Sequence, residues 1–404
     1  RNHLSSALDQ VVQQPASARR DRHELALRLR RGFLASAALG SNNSDTAADF
    51  ERCLELGGSD LSNDDLFATL MALFTHFVSR GDLRRAEQVV HTLRVAVDHG
   101  REWWLAENVG GHGVLAWNHG EFETARDLLA QSVELMACRE HRDVESVWFV
   151  PFDPVVSTYT QFATVHWVLG DCTARDAALA DARRRVDALP FPQGPFSASY
   201  VDFIQCLMAL DAGDQPTAAH WAETMTERAR KHGFDASAAA GFVLQQSAAA
   251  MALIQTHPVD TAALAPILPI LLQWLDLCRA IEIKTWLLPS DAVAARLLIA
   301  IGELEQARQC IDAGLTLSGE TRMNYYDAEL LRLRAQTHHS VDARRTDLTA
   351  ALNVARKQHA TIFELRIARD LVAVGDDSAR EVLAEAVSRF PADSSWPELA
   401  AARA

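Results

Sequence analysis

Trp117-Asn118-His119-Gly120-Glu121-Phe122-Glu123-Thr124-Ala125, continuing through Arg126 to Met136, is the stretch that decides the fold. Val114, Leu115 and Trp117 carry apolar weight before the glycine. After it, Phe122, Ala125, Leu128, Leu129, Val133 and Met136 recur at three- and four-residue spacing, the apolar face of an amphipathic helix. Gly120 stands where one helix ends and the chain reverses, a place that favours positive φ. Ala125 is small enough for two antiparallel helices to cross closely. The phrase recurs at Gly81-Asp82, Gly170-Asp171, Gly213-Asp214 and Gly302-Glu303. Four of the five copies place alanine five residues after the glycine: Ala86, Ala125, Ala218 and Ala307. The spacing is about 40 to 50 residues, with one double interval, which predicts an all-α, right-handed superhelical α-solenoid of about 8 to 9 helix pairs.

The remaining composition agrees. The 404 residues are 49% hydrophobic and 23% charged, a globular balance. No stretch reads as a membrane span, and Arg1-Asn2-His3 carries no signal-type apolar region. A chain that opens on Arg1 inside a helical pattern suggests a piece of a longer protein. The net charge of −14 argues against nucleic acid or an anionic membrane as partner. The six cysteines contain no Cys-x-x-Cys and fall at unrelated phases of the repeat, which points to reduced cytoplasmic thiols rather than disulfides or a metal site.

In chain order, residues 1–189 read as one run of repeats. It includes the pairs 63–79 with 83–98, 102–119 with 122–137, and 155–169 with 173–189. The cap clusters Ser41 to Ser44 and Ser62 to Asp65 open helices, and Asp153-Pro154 reads as an N-cap followed by proline at the first helical position. Pro190-Phe191-Pro192-Gln193-Gly194-Pro195-Phe196 is the strongest breaker, so 190–197 reads as a bend between the two halves of one solenoid. Residues 198–404 continue the repeats. Within them, 260–281 is apolar and contains Pro266 and Pro269, so that element is expected to be broken or kinked.

These phrases resemble the tetratricopeptide repeat in a long variant. Their order resembles the C-terminal repeat region of large bacterial regulators, which join a STAND-type ATPase to a nucleotide cyclase or a LuxR-type helix-turn-helix domain. The carrying stretches are Gly81 to Glu87, Gly120 to Arg126, and Asp153-Pro154-Val155 before Trp167-Val168-Leu169-Gly170. Tyr326 to Leu333, Ala351 to Arg356 with Phe363 to Ala368, and Trp396-Pro397-Glu398-Leu399 complete the set. Arg175, where the pattern has alanine, and the proline-containing stretch 258–290 depart from it. The resemblance implies a sensor region in a bacterial cytoplasm whose catalytic and DNA-binding parts belong to other domains.

Searches for chemistry in the chain itself end without a motif. It has no Gly-x-x-x-x-Gly-Lys-Ser/Thr, Gly-x-Gly-x-x-Gly or His-Glu-x-x-His, and three lysines in all. Gly110-Gly111-His112-Gly113 lies inside a first helix and reads as close helix packing. His338 and His339 point to different helix faces, which disfavours a metal pair. No cofactor, metal or catalytic residue is expected. The remaining candidate is the concave groove, built from first helices. Counting back from each turn glycine places Glu107, Trp117, Asn118, Thr160, Thr164, Trp167, Arg296, Glu329, Arg332, Gln336 and His339 on that face. Trp103, Trp104 and Trp148 fall near it. The repeat architecture therefore predicts a non-catalytic module that binds a peptide, a protein segment or a small inducer, and the resemblance implies that it acts on a neighbouring ATPase or cyclase domain. A free-standing scaffold is the alternative, and an enzyme on an α-solenoid is a third.

Overall fold

The computed structural model describes residues 2–39, 44–57, 63–138, 152–256, 258–376, 378–392, 394 and 396–403. The cap residues 41–43 and 62 and the stretch around Trp148 lie outside them. Every regular element among the described residues is helical. The order is α1 Asn2–Val12, α2 Ala18–Leu39, α3 Ser44–Gly57, α4 Asn63–Ser79, α5 Leu83–Asp98, α6 Leu105–Asn118 and α7 Phe122–Ala137. There follow α8 Pro154–Leu169, α9 Cys172–Asp187, α10 Gln193–Asp211, α11 Gln215–His232, α12 Asp235–Ile254, α13 Thr261–Leu264 and α14 Leu268–Ala280. The chain closes with α15 Leu287–Ala300, α16 Leu304–Thr321, α17 Asp327–Gln336, α18 Val341–Lys357, α19 Thr361–Ala373, α20 Ala379–Ser388 and α21 Pro397–Arg403. Successive helices pack as antiparallel pairs, an α-solenoid.

The repeated phrase has a local reason at each position. The turn glycines, Gly120 and Gly302 among them, have φ of 74° and 86°. The acid that follows opens the second helix. Asp82, Asp171 and Asp214 each accept a hydrogen bond from the backbone N–H three residues on. Glu121 and Glu303, one methylene longer, make no such cap. The alanines at the close crossing, Ala86, Ala125, Ala218 and Ala307, are fully buried. The glycines inside α6 serve packing: a Cβ on Gly111 would sit 2.9 Å from Val90, and one on Gly113 would sit 2.8 Å from Leu129.

The solenoid does not stay open. Its first helices α8, α10, α12, α15, α17 and α19 pack in sequence, and α19 packs back onto α8, so the six form a closed ring. The turns of the N-terminal half abut the helix starts of the C-terminal half. The carbonyl oxygens of Ser79 and Val78 accept from Lys284 N and Thr285 Oγ1, both at 2.8 Å. His119 Nδ1 donates to the Arg322 carbonyl at 3.1 Å. Gly120 lies against Gln358, and Gly170 against Phe390, closely enough that a side chain at either would collide.

The proline-containing stretch after α12 is broken into α13 and α14, with the chain turning between them. Gln193, Gly194 and Pro195 form the first turn of α10, which packs on both α8 and α9. One expectation is corrected. By length and composition α12 and residues 261–280 are apolar enough to cross a membrane, with mean hydropathies of 1.4 and 1.5. Asp235 is the only charged residue in α12, which the sequence reading passed over. Both are poorly covered by neighbouring helices, at 39% and 22% buried, and both border the internal cavity described below.

Candidate functional site

The ring closes around a lattice of buried charge. Asp211, at the end of α10, is the centre. Its Oδ1 accepts from Tyr326 Oη at 2.6 Å and Arg366 Nη1 at 3.0 Å; its Oδ2 accepts from Trp167 Nε1 at 2.9 Å and Arg366 Nη2 at 3.1 Å. Glu329 on α17 is the second anion. It accepts from Arg296 Nη2 at 2.5 Å and from Arg332 Nε and Nη2, both at 2.8 Å. Arg366 reaches Glu398 at 2.6 Å and Arg332 reaches Asp370 at 2.7 Å. One lattice thus ties α8, α10, α15, α17, α19 and α21.

The charges persist because they compensate one another. Burial by itself raises the carboxyls of Asp211 and Glu329. The guanidiniums of Arg366 and Arg296 around the first, and of Arg332 and Arg296 around the second, outweigh that and hold both below the ordinary carboxylate range. Burial pushes the Tyr326 phenol well above its usual value, and the adjacent Asp211 charge adds to it. Asp211 and Glu329 are therefore held ionised and Tyr326 protonated through the physiological range.

Beside the lattice lies a cavity of about 410 Å³. Its walls are the inner faces of α8, α10, α12, α14 and α15, with the Tyr325-Tyr326 start of α17. Trp117, Trp167, Phe203, Trp274, Trp286 and Phe363 line it, and Asp211 and Arg296 form its charged end. Leu277 and Ile281, 47% and 43% exposed, stand on the side of α14 that faces solvent at its edge. The apolar surplus of α12 and α14 is spent on this wall. Volume, aromatic lining and a few convergent polar groups are the attributes of a small-molecule pocket.

Of the residues expected in the groove, the ring gathers Trp117, Thr164, Trp167 and Arg296 at the cavity. Trp117 packs against Tyr325 of the other half, with ring centroids 5.4 Å apart and the planes tilted by 31°. Glu329, Arg332 and Gln336 join the charge lattice, Gln336 through Asp370 at 3.0 Å. Glu107, Asn118 and Thr160 are buried away from it. Asn118 Nδ2 donates to Val114 O and Thr160 Oγ1 to Val156 O, bonds internal to their own helices. His339 is exposed outside the ring, while His338 bonds Asp347 at 2.8 Å. Trp103 and Trp104 pack on Phe67, remote from the cavity.

Counting from turn glycines missed Asp211, Tyr326 and Arg366, although Asp211 stands two residues before Gly213. An aspartate at the last turn of an apolar helix, with unpaired arginines on later first helices, was the available signal. It also missed Trp274 and Trp286, which lie in the irregular stretch 258–290. Among the described residues no group of three or more His, Cys, Asp or Glu side chains is arranged to hold a metal.

No described protein family matches the chain, and no curated protein sequence is significantly similar to it. Solved structures are similar in shape. A Rap protein complexed with Competence and Sporulation Factor superposes with a TM-score of 0.58 at 12% identity, over 91% of this chain and 97% of that one. The Rap conjugation gene regulator of plasmid pLS20, in complex with the Phr* peptide, gives 0.51 at 12% identity, over 90% and 94%. At this identity the likeness establishes the shared helical-repeat fold.

Proposed function

We propose that this chain is a non-catalytic sensor module whose ligand enters the cavity inside the closed ring and whose output is a protein contact. One observation carries the reading: a cavity of about 410 Å³, mostly apolar, lies where the two halves of the solenoid meet. A ligand there touches Trp117 and α8 of the N-terminal half and α10, α15 and the start of α17 of the C-terminal half. It can therefore bias how firmly the halves close, and a ligand shifts a conformational equilibrium only through such differential contact. The two solved structures of similar fold are complexes with Competence and Sporulation Factor and with the Phr* peptide, which supports ligand binding as the use of this architecture. In this proposal the sensor belongs to a multidomain cytoplasmic regulator of the STAND ATPase kind, and its repeats report to that neighbouring domain.

The test is a titration with Nile red, an uncharged apolar dye, followed by its fluorescence. Saturable one-to-one binding is expected, lost in Ala240→Phe, which fills the cavity from α12. Binding that does not saturate, or that is indifferent to this substitution, overturns the reading.

A further inference from the structure

The hydrogen-bonding inventory of the cavity names the chemistry of its occupant, given the sensor reading above. Arg296 stands in the wall. Its Nη2 donates to Glu329 and lies 3.6 Å from Asp211. Its Nε and Nη1 meet no acceptor among the described residues. Trp117, Trp274 and Trp286 also line the cavity, and their indole N–H groups likewise meet no acceptor among the described residues. The acceptors are in the opposite condition. Asp211 takes four hydrogen bonds from Tyr326, Trp167 and Arg366. The lining hydroxyls of Thr164, Ser247 and Ser290 each donate to a carbonyl one turn back in their own helix. The cavity therefore offers uncommitted donors and no uncommitted carboxylate or amide oxygen.

Charge narrows the choice. Arg296 is already compensated by Glu329 and Asp211. An additional carboxylate placed against its free nitrogens would face those two anions at short range in a poorly solvated site, where such repulsion is strong. A cation would have to approach Arg296 itself. A peptide brings a run of backbone N–H groups, for which this wall holds only the remaining lone pairs of the Thr164, Ser247 and Ser290 hydroxyls, and buried donors left unpaired weaken binding.

We propose that the cavity takes a small, uncharged, largely aliphatic molecule bearing one or two carbonyl-type acceptors (ketone, ester or lactone), which receive hydrogen bonds from Nε and Nη1 of Arg296. The aromatic walls take the hydrocarbon, and the indole N–H groups are available to a second acceptor.

Calorimetry on the full chain with 2-octanone, 2-decanone, decanoate and decylammonium tests this. Affinity is expected to rise about fourfold per methylene from the eight- to the ten-carbon ketone. Decanoate and decylammonium are expected to bind at least about tenfold more weakly than 2-decanone, since each meets a like charge. Arg296→Met should weaken 2-decanone about 10- to 100-fold, the loss of a hydrogen bond to a charged donor. Ala240→Phe, which leaves the charge lattice untouched, should abolish ketone binding. Decanoate or decylammonium binding as tightly as the ketone overturns the assignment, and that comparison needs no variant. Ketone binding unchanged in a folded Arg296→Met overturns the role of Arg296 while leaving the cavity reading in place. Failure of Nile red and of every probe overturns both.

Discussion

Replacing Glu329 with Gln isolates what the buried lattice contributes. The substitution keeps the volume and removes one negative charge from a fully buried site. Glu329 takes three hydrogen bonds, one from Arg296 and two from Arg332, and lies 3.8 Å from Arg366. Without it Arg332 keeps Asp370, and Arg296 keeps only Asp211 at 3.6 Å. Breaking a buried ion pair by removing one partner costs about 3–5 kcal/mol, because the remaining charge stays desolvated. For a chain of 404 residues the unfolding entropy is about 0.85 kcal/mol per degree if the ring unfolds as one unit, so the midpoint should fall by about 4–6 °C. Asp370→Asn is the matched comparison. It removes the other acid on Arg332, but its side chain is 29% exposed, and about 1 kcal/mol or less is expected.

The pH dependence follows from the same site. The arginines hold the Glu329 carboxyl below its unfolded value despite burial. Its contribution is therefore complete above the ordinary carboxylate range and is lost as pH falls from about 5 downward. The Gln variant should lack that part of the acid destabilisation, so its deficit shrinks with falling pH. Differential scanning calorimetry at pH 7.5 and pH 4 reads both effects. A midpoint shift under about 1 °C, or one equal to that of Asp370→Asn, would refute the view that the lattice holds the ring through compensated charge.

Three other outcomes are expected. Gly302→Ala should cost about 1–2 kcal/mol, the penalty of a left-handed residue in open space. Gly120→Ala should cost about 1 kcal/mol more, because its Cβ also displaces Gln358 from the Asn324 carbonyl; urea denaturation followed by tryptophan fluorescence compares them. Asp291 is buried with Oδ2 unbonded, and burial pushes its carboxyl up to about 6 despite Arg279. An acid raised in the folded state is penalised when ionised, so the destabilisation that Asp291 contributes should be relieved as pH falls from 6 toward 4. Asp291→Asn should then be more stable at pH 8 by on the order of 1–2 kcal/mol, a gain that vanishes at pH 4. With a disulfide reagent such as dithiobis-nitrobenzoate, Cys138 should react first among the six cysteines, being exposed. Cys206, buried and pushed up to about 12, should react only on unfolding.

The repeat was legible because its causes are local. A glycine for the reversal, an aspartate for the next N-terminus and an alanine for the crossing act within a few residues of one another. Trp167 and Arg296 could be placed on the inner face for the same reason, since 3.6-residue periodicity orients a helix about its axis. Periodicity says nothing of how far the superhelix turns before it meets itself. That is why Glu329 and Arg332, expected in the groove, are paired with their own chain rather than open to a partner. The apolar length of α12 was ambiguous for a related reason: a core helix, a membrane span and a cavity wall share one composition.

The amino-acid sequence alone determined most of the helix pairs and their turns, and for Trp117, Thr164, Trp167 and Arg296 the side that faces inward, because each depends on residues less than about ten positions apart. Only the tertiary structure decided that α19 returns to α8, that Asp211 meets Arg366 across 155 residues, and that Gly120 touches Gln358. Those contacts depend on the small rotation between successive repeats, summed around the ring. That sum is set by the packing of every pair together, and no single stretch of sequence carries it.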